Sequence, residues 1–161
     1  MTDITTVSST SVSPDVAAGV AQFLSPVVID LTALVVNGKQ AHWHVRGPNF
    51  VGVHELLDTI VAHAGDFADT AAERIVALGL PIDARVSAVA AKAGATGVPA
   101  GFTQSDELIR AVIADIDAIL VDVRAAVDGL DEVDLTSQDV AIEIMRGLEK
   151  DRWFLVSHIA A

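Results

Sequence analysis

Four of the five histidines lie in residues 42–73 together with five carboxylates, and both kinds of side chain can hold a transition metal. Two pairs in this stretch are spaced by four residues: His54 with Asp58, and Asp69 with Glu73. That spacing places two side chains on one face of a helix, one turn apart. Imidazole and carboxylate together suit iron, manganese or zinc, whereas calcium prefers oxygen ligands alone. Each pair therefore predicts half of a metal site.

The two half-sites cannot be completed within one chain. Asp58 and Asp69 are about three helical turns apart, so both pairs face the same way but lie roughly 16 Å from each other. A second copy of this helix, packed antiparallel about a two-fold axis, would bring each pair opposite the other pair of its partner. Small residues near the midpoint would allow the two helices to approach closely: Ala62, Ala64, Gly65 and Ala68. The spacing therefore predicts two identical sites per dimer.

Further residues near these pairs are candidates for the same site. His42 lies six residues before Pro48 and His54 lies six residues after it, so an antiparallel turn there brings the two imidazoles level. Trp43 is a candidate for packing beside the site or for intercepting a stray oxidising equivalent. His63 falls near the predicted two-fold, where its role is structural or that of an auxiliary metal ligand.

Helical periodicity predicts the elements that position these residues. Apolar residues recur at helical spacing in four long segments, and no stretch alternates with a period of two as a strand would. The predicted long helices cover about 16–46, 50–78, 105–128 and 136 to the C-terminus, with Pro26 kinking or dividing the first and Gly129 ending the third. The connection between the second and third is long and contains a short helix within 81–92. We predict an all-α, ferritin-like four-helix bundle over residues 14–161, preceded by a flexible or loosely docked Ser/Thr-rich arm over 1–13.

Composition excludes several classes of protein. The chain has no cysteine, which excludes disulfides, cysteine-bound zinc, iron–sulfur clusters and thiol catalysis. No uncharged apolar run is long enough to cross a membrane, and the first residues do not form a signal peptide, so we predict a cytoplasmic protein. The 22 acidic and 10 basic residues give a formal charge of −12. Such a surface attracts cations and repels the phosphate backbone of nucleic acids.

The metal-ligand pattern resembles that of the Dps family, the DNA-binding proteins from starved cells within the ferritin-like superfamily. The likeness rests on His42-Trp43-His44-Val45-Arg46-Gly47, then Val53-His54 and Asp58, then Asp69-Thr-Ala-Ala-Glu73-Arg74, and it extends over residues 14–160. The resemblance implies a dodecameric shell with dinuclear iron sites at two-fold interfaces. It implies that His42, His54 and Asp58 come from one subunit and Asp69 and Glu73 from its partner. The Glu-x-x-His motif of full-sized ferritins is absent, which favours the miniature ferritin.

The implied activity is ferroxidase and storage: Fe(II) is oxidised by hydrogen peroxide, or more slowly by dioxygen, and Fe(III) is stored, which protects against oxidative damage. Zinc or manganese could take the place of iron. Four carboxylates before the last helix are candidates for lining a three-fold pore: Asp131, Glu132, Asp134 and Asp139. For each of them the alternative is a solvated charge or, for Asp139, a helix cap.

Two other functions remain open on sequence grounds. A shell could sequester metal without significant turnover, or a bound metal could activate water in a metal-dependent hydrolase. Many Dps proteins bind DNA through basic tails, but residues 1–13 contain no Lys or Arg and the last helix runs to the C-terminus. The sequence therefore predicts against direct DNA binding at neutral pH, although nucleic acid could still be compacted through metal bridges.

Overall fold

The computed structural model describes residues 10–160, which form five helices and one pair of very short strands. In chain order these are α1 (Pro14–His44), β1 (Val45–Arg46), α2 (Phe50–Ala77), α3 (Val86–Lys92), β2 (Thr103–Gln104), α4 (Ser105–Leu130) and α5 (Leu135–Ile159). The four long helices make the bundle, and a long connection containing α3 leads from α2 to α4. The predicted all-α bundle, its crossover and its short helix are confirmed.

The helices fold together because the apolar residues on each recur at helical spacing and meet in one core. The largest fully buried side chains come from all four long helices: Leu24, Leu31, Leu34, Leu57, Ile60, Ile75, Leu108, Ile109, Ile116, Leu130, Ile144 and Leu148. By length and by a mean hydropathy of 1.8, α1 would also pass as a membrane-spanning helix. Its apolar residues instead pack in the bundle core, as expected for the central helix of a globular domain.

The turn between α1 and α2 is held at one end of the bundle by the two strands. Val45 lies opposite Thr103 in a parallel pairing, which joins the end of α1 to the start of α4. The prediction missed these strands because two residues are too few to show alternation. Within the turn, Gly47 (φ 105°) and Asn49 (φ 62°) adopt left-handed backbone conformations that glycine and asparagine tolerate best. This turn determines how His42 and His54 face each other.

Three details of the helices differ from the prediction. Of the two outcomes expected at Pro26, a kink or a division, the division does not occur. Pro26 and Gln22 are both exposed, so water can reach the Gln22 carbonyl that loses its usual donor. The third long helix continues through Gly129, where an added Cβ would lie 2.2 Å from the Phe23 ring. That glycine therefore makes room for the ring rather than ending the helix. The last helix begins one residue earlier than predicted and is capped by Asp134.

The predicted arm can be judged only at its last residues, since 1–9 lie outside the described residues. Ser13 caps α1, with its Oγ accepting a hydrogen bond from the Val16 backbone N–H at 3.3 Å. Val12 packs against the core. The described end of the arm is therefore docked on the bundle.

Candidate metal centre

The imidazoles of His42 and His54 face each other across the α1–α2 turn, with ring centroids 3.7 Å apart and planes inclined by 22°. Each Nδ1 is hydrogen-bonded to the backbone carbonyl of the other residue, at 2.8 Å for His42 and 2.9 Å for His54. A carbonyl oxygen can only accept, so both Nδ1 atoms carry the proton and both Nε2 atoms keep a free lone pair. Such outer hydrogen bonds are the usual means of orienting metal-binding histidines. The hairpin thus prepares two Nε2 ligands before any metal arrives.

The Asp58 carboxylate accepts a hydrogen bond from the Nζ of Lys39, which lies one turn before His42 on α1. This hydrogen bond lowers the pKa of Asp58 below its usual value, and the positive charge of Lys39 acts in the same direction. Both side chains of the ion pair are substantially exposed, at 36% for Lys39 and 52% for Asp58. A pair so accessible to water is held weakly and exchanges readily with another cation.

One side of α2 is turned away from the bundle, and we refer to it as the outer face of α2. It comprises Val51, His54, Asp58, Ala62, Gly65, Asp69, Glu73 and Val76. Val51 and Val76, at its two ends, are 61% and 56% exposed. Asp69 and Glu73 are exposed, and neither carboxylate has a hydrogen-bond or ion-pair partner among residues 10–160. Both predicted half-sites therefore lie on the same unpartnered surface.

Within the described part of a single chain, no three His, Asp or Glu side chains are grouped so that they could hold a metal ion. His42 and His54 are together, but Asp58 is engaged by Lys39. The second carboxylate pair, Asp69 and Glu73, lies farther along α2. The structure thus brings together the two imidazoles and leaves the two half-sites apart.

Trp43 and His63, the two auxiliary candidates, differ in their surroundings. Trp43 is 63% exposed and so does not pack against the site within its own subunit. His63 lies near the middle of α2, as predicted, but its ring is turned away from the outer face towards α5. There its Nδ1 lies 3.0 Å from both carboxylate oxygens of the buried Asp151. Burial raises the pKa of the Asp151 carboxyl, and the hydrogen bond from His63 partly offsets that rise.

Asp134, one of the four pore candidates, has a structural role in this chain. Its carboxylate accepts hydrogen bonds from the Ser137 N–H at 2.9 Å and from Arg74 Nη2 at 2.7 Å, and its side chain is 16% exposed. It caps α5, so the alternative in which Asp139 is the cap is wrong. Asp131, Glu132 and Asp139 are exposed and remain the candidates that can face a pore.

Comparisons with known proteins agree with this architecture. The sequence profile of the ferritin-like domain family matches residues 24–161. The DNA protection during starvation protein of Agrobacterium fabrum is 38% identical over 133 residues, which cover 82% of this chain and 80% of that protein. The structure of Dps from Microbacterium arborescens in the high iron form superposes with a TM-score of 0.92 at 68% identity, covering 94% of this chain and 99% of the other. This chain belongs to the Dps family. Dps from Mycobacterium smegmatis gives a TM-score of 0.88 at 30% identity, covering 94% of this chain and 92% of the other.

Membership of the Dps family supports iron storage and protection in general terms. Two residues of this Dps chain that bear on its site were missed from sequence. Lys39 could have been found from the sequence, because a spacing of three residues places it on the same helical face as His42. Asp151 could also have been found, because it is the one charged residue in a series on α5 with alternating spacings of three and four. The buried members of this series are Ala141, Ile144, Leu148, Asp151 and Leu155.

Proposed function

We propose that this Dps chain is the subunit of a homo-oligomeric shell, a dodecamer, that oxidises Fe(II) and stores Fe(III). The outer face of α2 supports this proposal most directly. It carries His54 and Asp58 at one end, where His42 of α1 stacks on His54, and the free carboxylates of Asp69 and Glu73 at the other end. The spacing of these residues along α2 is one that a two-fold axis would match. About the midpoint between His63 and Ala64, residue 54 mirrors 73 and residue 58 mirrors 69. His42, His54 and Asp58 of one subunit would then meet Asp69 and Glu73 of its partner.

The ligand types suit iron that changes its charge. Neutral imidazole binds Fe(II) without adding negative charge, and the carboxylates of Asp58, Asp69 and Glu73 stabilise the more highly charged Fe(III) product. Zinc and manganese fit the same donors and would compete for them. Two Fe(II) ions held at one site reduce one hydrogen peroxide together with two protons, which yields two Fe(III) and two water molecules. Because both electrons arrive together, no hydroxyl radical is released. Dioxygen is the slower alternative oxidant.

Lys39 contributes to this chemistry as a cation already present at the site. Its ammonium pairs with the Asp58 carboxylate while the site holds no metal. When Fe(II) arrives, it takes over the carboxylate, and the exposed Lys39 side chain moves out into water at little cost. The prepared half-site is therefore ionised and ordered before it binds its substrate.

Mixed shells test whether each site is shared between subunits. We expect Asp58→Ala and Asp69→Ala proteins each to lose peroxide-dependent Fe(II) oxidation. Shells assembled from both variants in equal amounts should regain about a quarter of the wild-type sites, because half of the pairs are hybrids and one of the two sites in each hybrid is intact. The measurement is the initial rate of Fe(II) oxidation with hydrogen peroxide. A His44→Ala variant serves as the control, since His44 is hydrogen-bonded to the Gln40 carbonyl and contacts the Phe102 ring, and neither contact belongs to the proposed site.

The mixing experiment also separates the competing functions. If mixed shells show no recovery, each site belongs to a single chain and the shared arrangement is wrong. If the wild type binds Fe(II) but does not oxidise it, the shell only sequesters metal. If oxidation survives both variants, the ferroxidase site lies elsewhere.

We further propose that this Dps protects DNA without binding it directly at neutral pH. The chain carries a formal charge of −12, and affinity for DNA depends mainly on neutralising phosphates with Lys and Arg. In a gel-shift assay at low salt with a chelator present, we expect no retardation of duplex DNA by the assembled protein. Retardation under those conditions would contradict the proposal, whereas retardation that needs added divalent cations would indicate metal bridging.

A further inference from the structure

A histidine and a carboxylate on the side of α2 that faces α5 form a pair that the proposed function does not use. Asp151 is 1% exposed, and both of its carboxylate oxygens lie 3.0 Å from His63 Nδ1. No buried side-chain nitrogen or oxygen within the described residues lacks a partner. The imidazole therefore supplies the hydrogen bond that compensates the burial of this carboxylate.

The same contact determines the state of the imidazole. An ionised carboxylate can only accept, so His63 carries a proton on Nδ1, and in the neutral imidazole the lone pair is then on Nε2. The two ring nitrogens point in roughly opposite directions, which directs Nε2 away from Asp151 and α5. The His63 side chain is 41% exposed, so Nε2 can be reached from solvent. A carboxylate that orients an imidazole in this way is the usual outer partner of a metal-binding histidine.

A second ligand lies one turn farther along α2. Asp66 is three residues after His63, a spacing at which helical side chains are neighbours. Asp66 is exposed, and its carboxylate has no hydrogen-bond or ion-pair partner among residues 10–160. Lys150, immediately before Asp151 on α5, is a positive charge near this pair. Its ammonium lies 5.6 Å from the centre of the Phe154 ring, which is a favourable partner for it.

We propose that His63 Nε2 and Asp66 bind one divalent transition-metal ion in each subunit, with Asp151 as the buried carboxylate that orients the imidazole. A nitrogen and an oxygen donor select ions such as Fe(II), Co(II) or Zn(II) over calcium. The described residues offer no group of three protein ligands here, so water completes the coordination and the ion exchanges freely. This site lies within one chain, and it does not depend on the two-fold sharing proposed for the outer face of α2.

The test uses assembled full-length protein that carries His54→Ala and Asp69→Ala, so that the outer-face sites are disabled. Equilibrium dialysis with Co(II) should find one ion per subunit, and anomalous diffraction from Co(II)-soaked crystals should place it beside His63. Adding His63→Gln should abolish this binding, and adding Asp66→Asn should weaken it. Adding Asp151→Asn should lower the affinity about 10–100-fold, which is the usual cost of removing an outer partner of a ligand.

Two controls keep the outcome decisive. His158→Gln removes an exposed histidine whose Nδ1 is paired with the Asn49 amide rather than a carboxylate, and it should leave Co(II) binding unchanged. Asp66→Asn alters only an exposed side chain, so it remains informative even if changes at His63 or Asp151 disturb the α2–α5 packing. If the background protein binds no Co(II), or if its Co(II) is unaffected by both His63→Gln and Asp66→Asn, the proposal is wrong.

Discussion

The two ends of the outer face of α2 carry similar side chains but are prepared to different degrees. At the first end, the chain itself fixes the ligands: His42 and His54 lock each other's tautomers, and Lys39 holds Asp58. At the other end, Asp69 and Glu73 extend into solvent without partners in the described chain. The difference arises because the end of α1 reaches the first half-site and brings a histidine and a lysine to it. A second subunit would place a prepared half opposite an unprepared one, so each site would have one ordered and one adaptable side.

The largest expected effect comes from preventing the two halves from meeting. An added Cβ at Gly65 would have one neighbour within 4 Å, Val35 Cγ2 at the ordinary distance of 3.9 Å. The subunit can therefore accommodate a larger side chain at this position on its outer face. Gly65→Leu should therefore leave the subunit folded, abolish pairing across the outer face and reduce Fe(II) oxidation to the uncatalysed rate. Light scattering, circular dichroism and oxidation kinetics measure the three quantities.

Gly101→Leu is the matched control for that experiment, because nothing lies within 4 Å of an added Cβ at Gly101. It should leave assembly and oxidation as in the wild type. Full oxidation activity in a Gly65→Leu monomer would show that the first half-site suffices alone, and the comparison between the two ends would lose its functional meaning.

A smaller effect should follow from removing the cation at the prepared end. Lys39→Met removes a positive charge beside Asp58, so Zn(II) should bind more tightly, by about 5-fold at most because an exposed ion pair is weak. Titration calorimetry at low salt measures the change, which should shrink as salt is added. Lys92→Met removes the same charge from α3 and should have no effect. Weaker Zn(II) binding in Lys39→Met would show that Lys39 positions Asp58 rather than competing for it.

The last effect concerns folding stability, not metal binding or oxidation, and it arises from how the second end is anchored. Arg74, next to Glu73, donates hydrogen bonds to Asp134 and Ser137 and thereby ties α2 to the start of α5. Burial alone would raise the pKa of Asp134, but the hydrogen bonds from Ser137 and Arg74 outweigh it and hold this pKa below its usual value. Asp134→Ala should cost about 0.5–2 kcal/mol of stability at pH 7, the usual range for a lost helix cap.

The pH dependence of that loss follows from the direction of the shift. A carboxyl with a lowered pKa in the folded state stabilises it above the ordinary pKa, and this contribution disappears as the pH falls through the folded value. The difference between wild type and Asp134→Ala should therefore be full at neutral pH and shrink on acidification below about pH 4. Denaturant unfolding across this range measures it, with Glu132→Ala as the exposed control. A difference that does not vary with pH would mean that the cap, and not the charge, provides the stability.

Much of this architecture could be predicted because it depends on local spacing. The four long helices follow from apolar periodicity, and the crossover follows from the long segment between α2 and α4. His42 and His54 face each other because each lies six residues from Pro48, at the turn between their two helices. The error at Gly129 arose because a glycine in a helical pattern has two meanings: it was taken as a helix stop, but it accommodates Phe23 and the helix continues to Leu130. At Pro26 the sequence left a kink or a division open, and the helix does not divide.

The sequence by itself determined the types of the ligands and the spacing of four residues within each pair. It also determined that the two pairs are too far apart along one helix to bind the same metal ion. These depend only on the rise and rotation of a helix, which are the same wherever a helix forms. Only the tertiary structure decided which way His63 points and what accompanies Asp58. His63 meets Asp151 from 88 positions along the chain, and Lys39 meets Asp58 from the neighbouring helix. Such contacts depend on how packed helices are rotated about their axes, which the shape of the whole core determines.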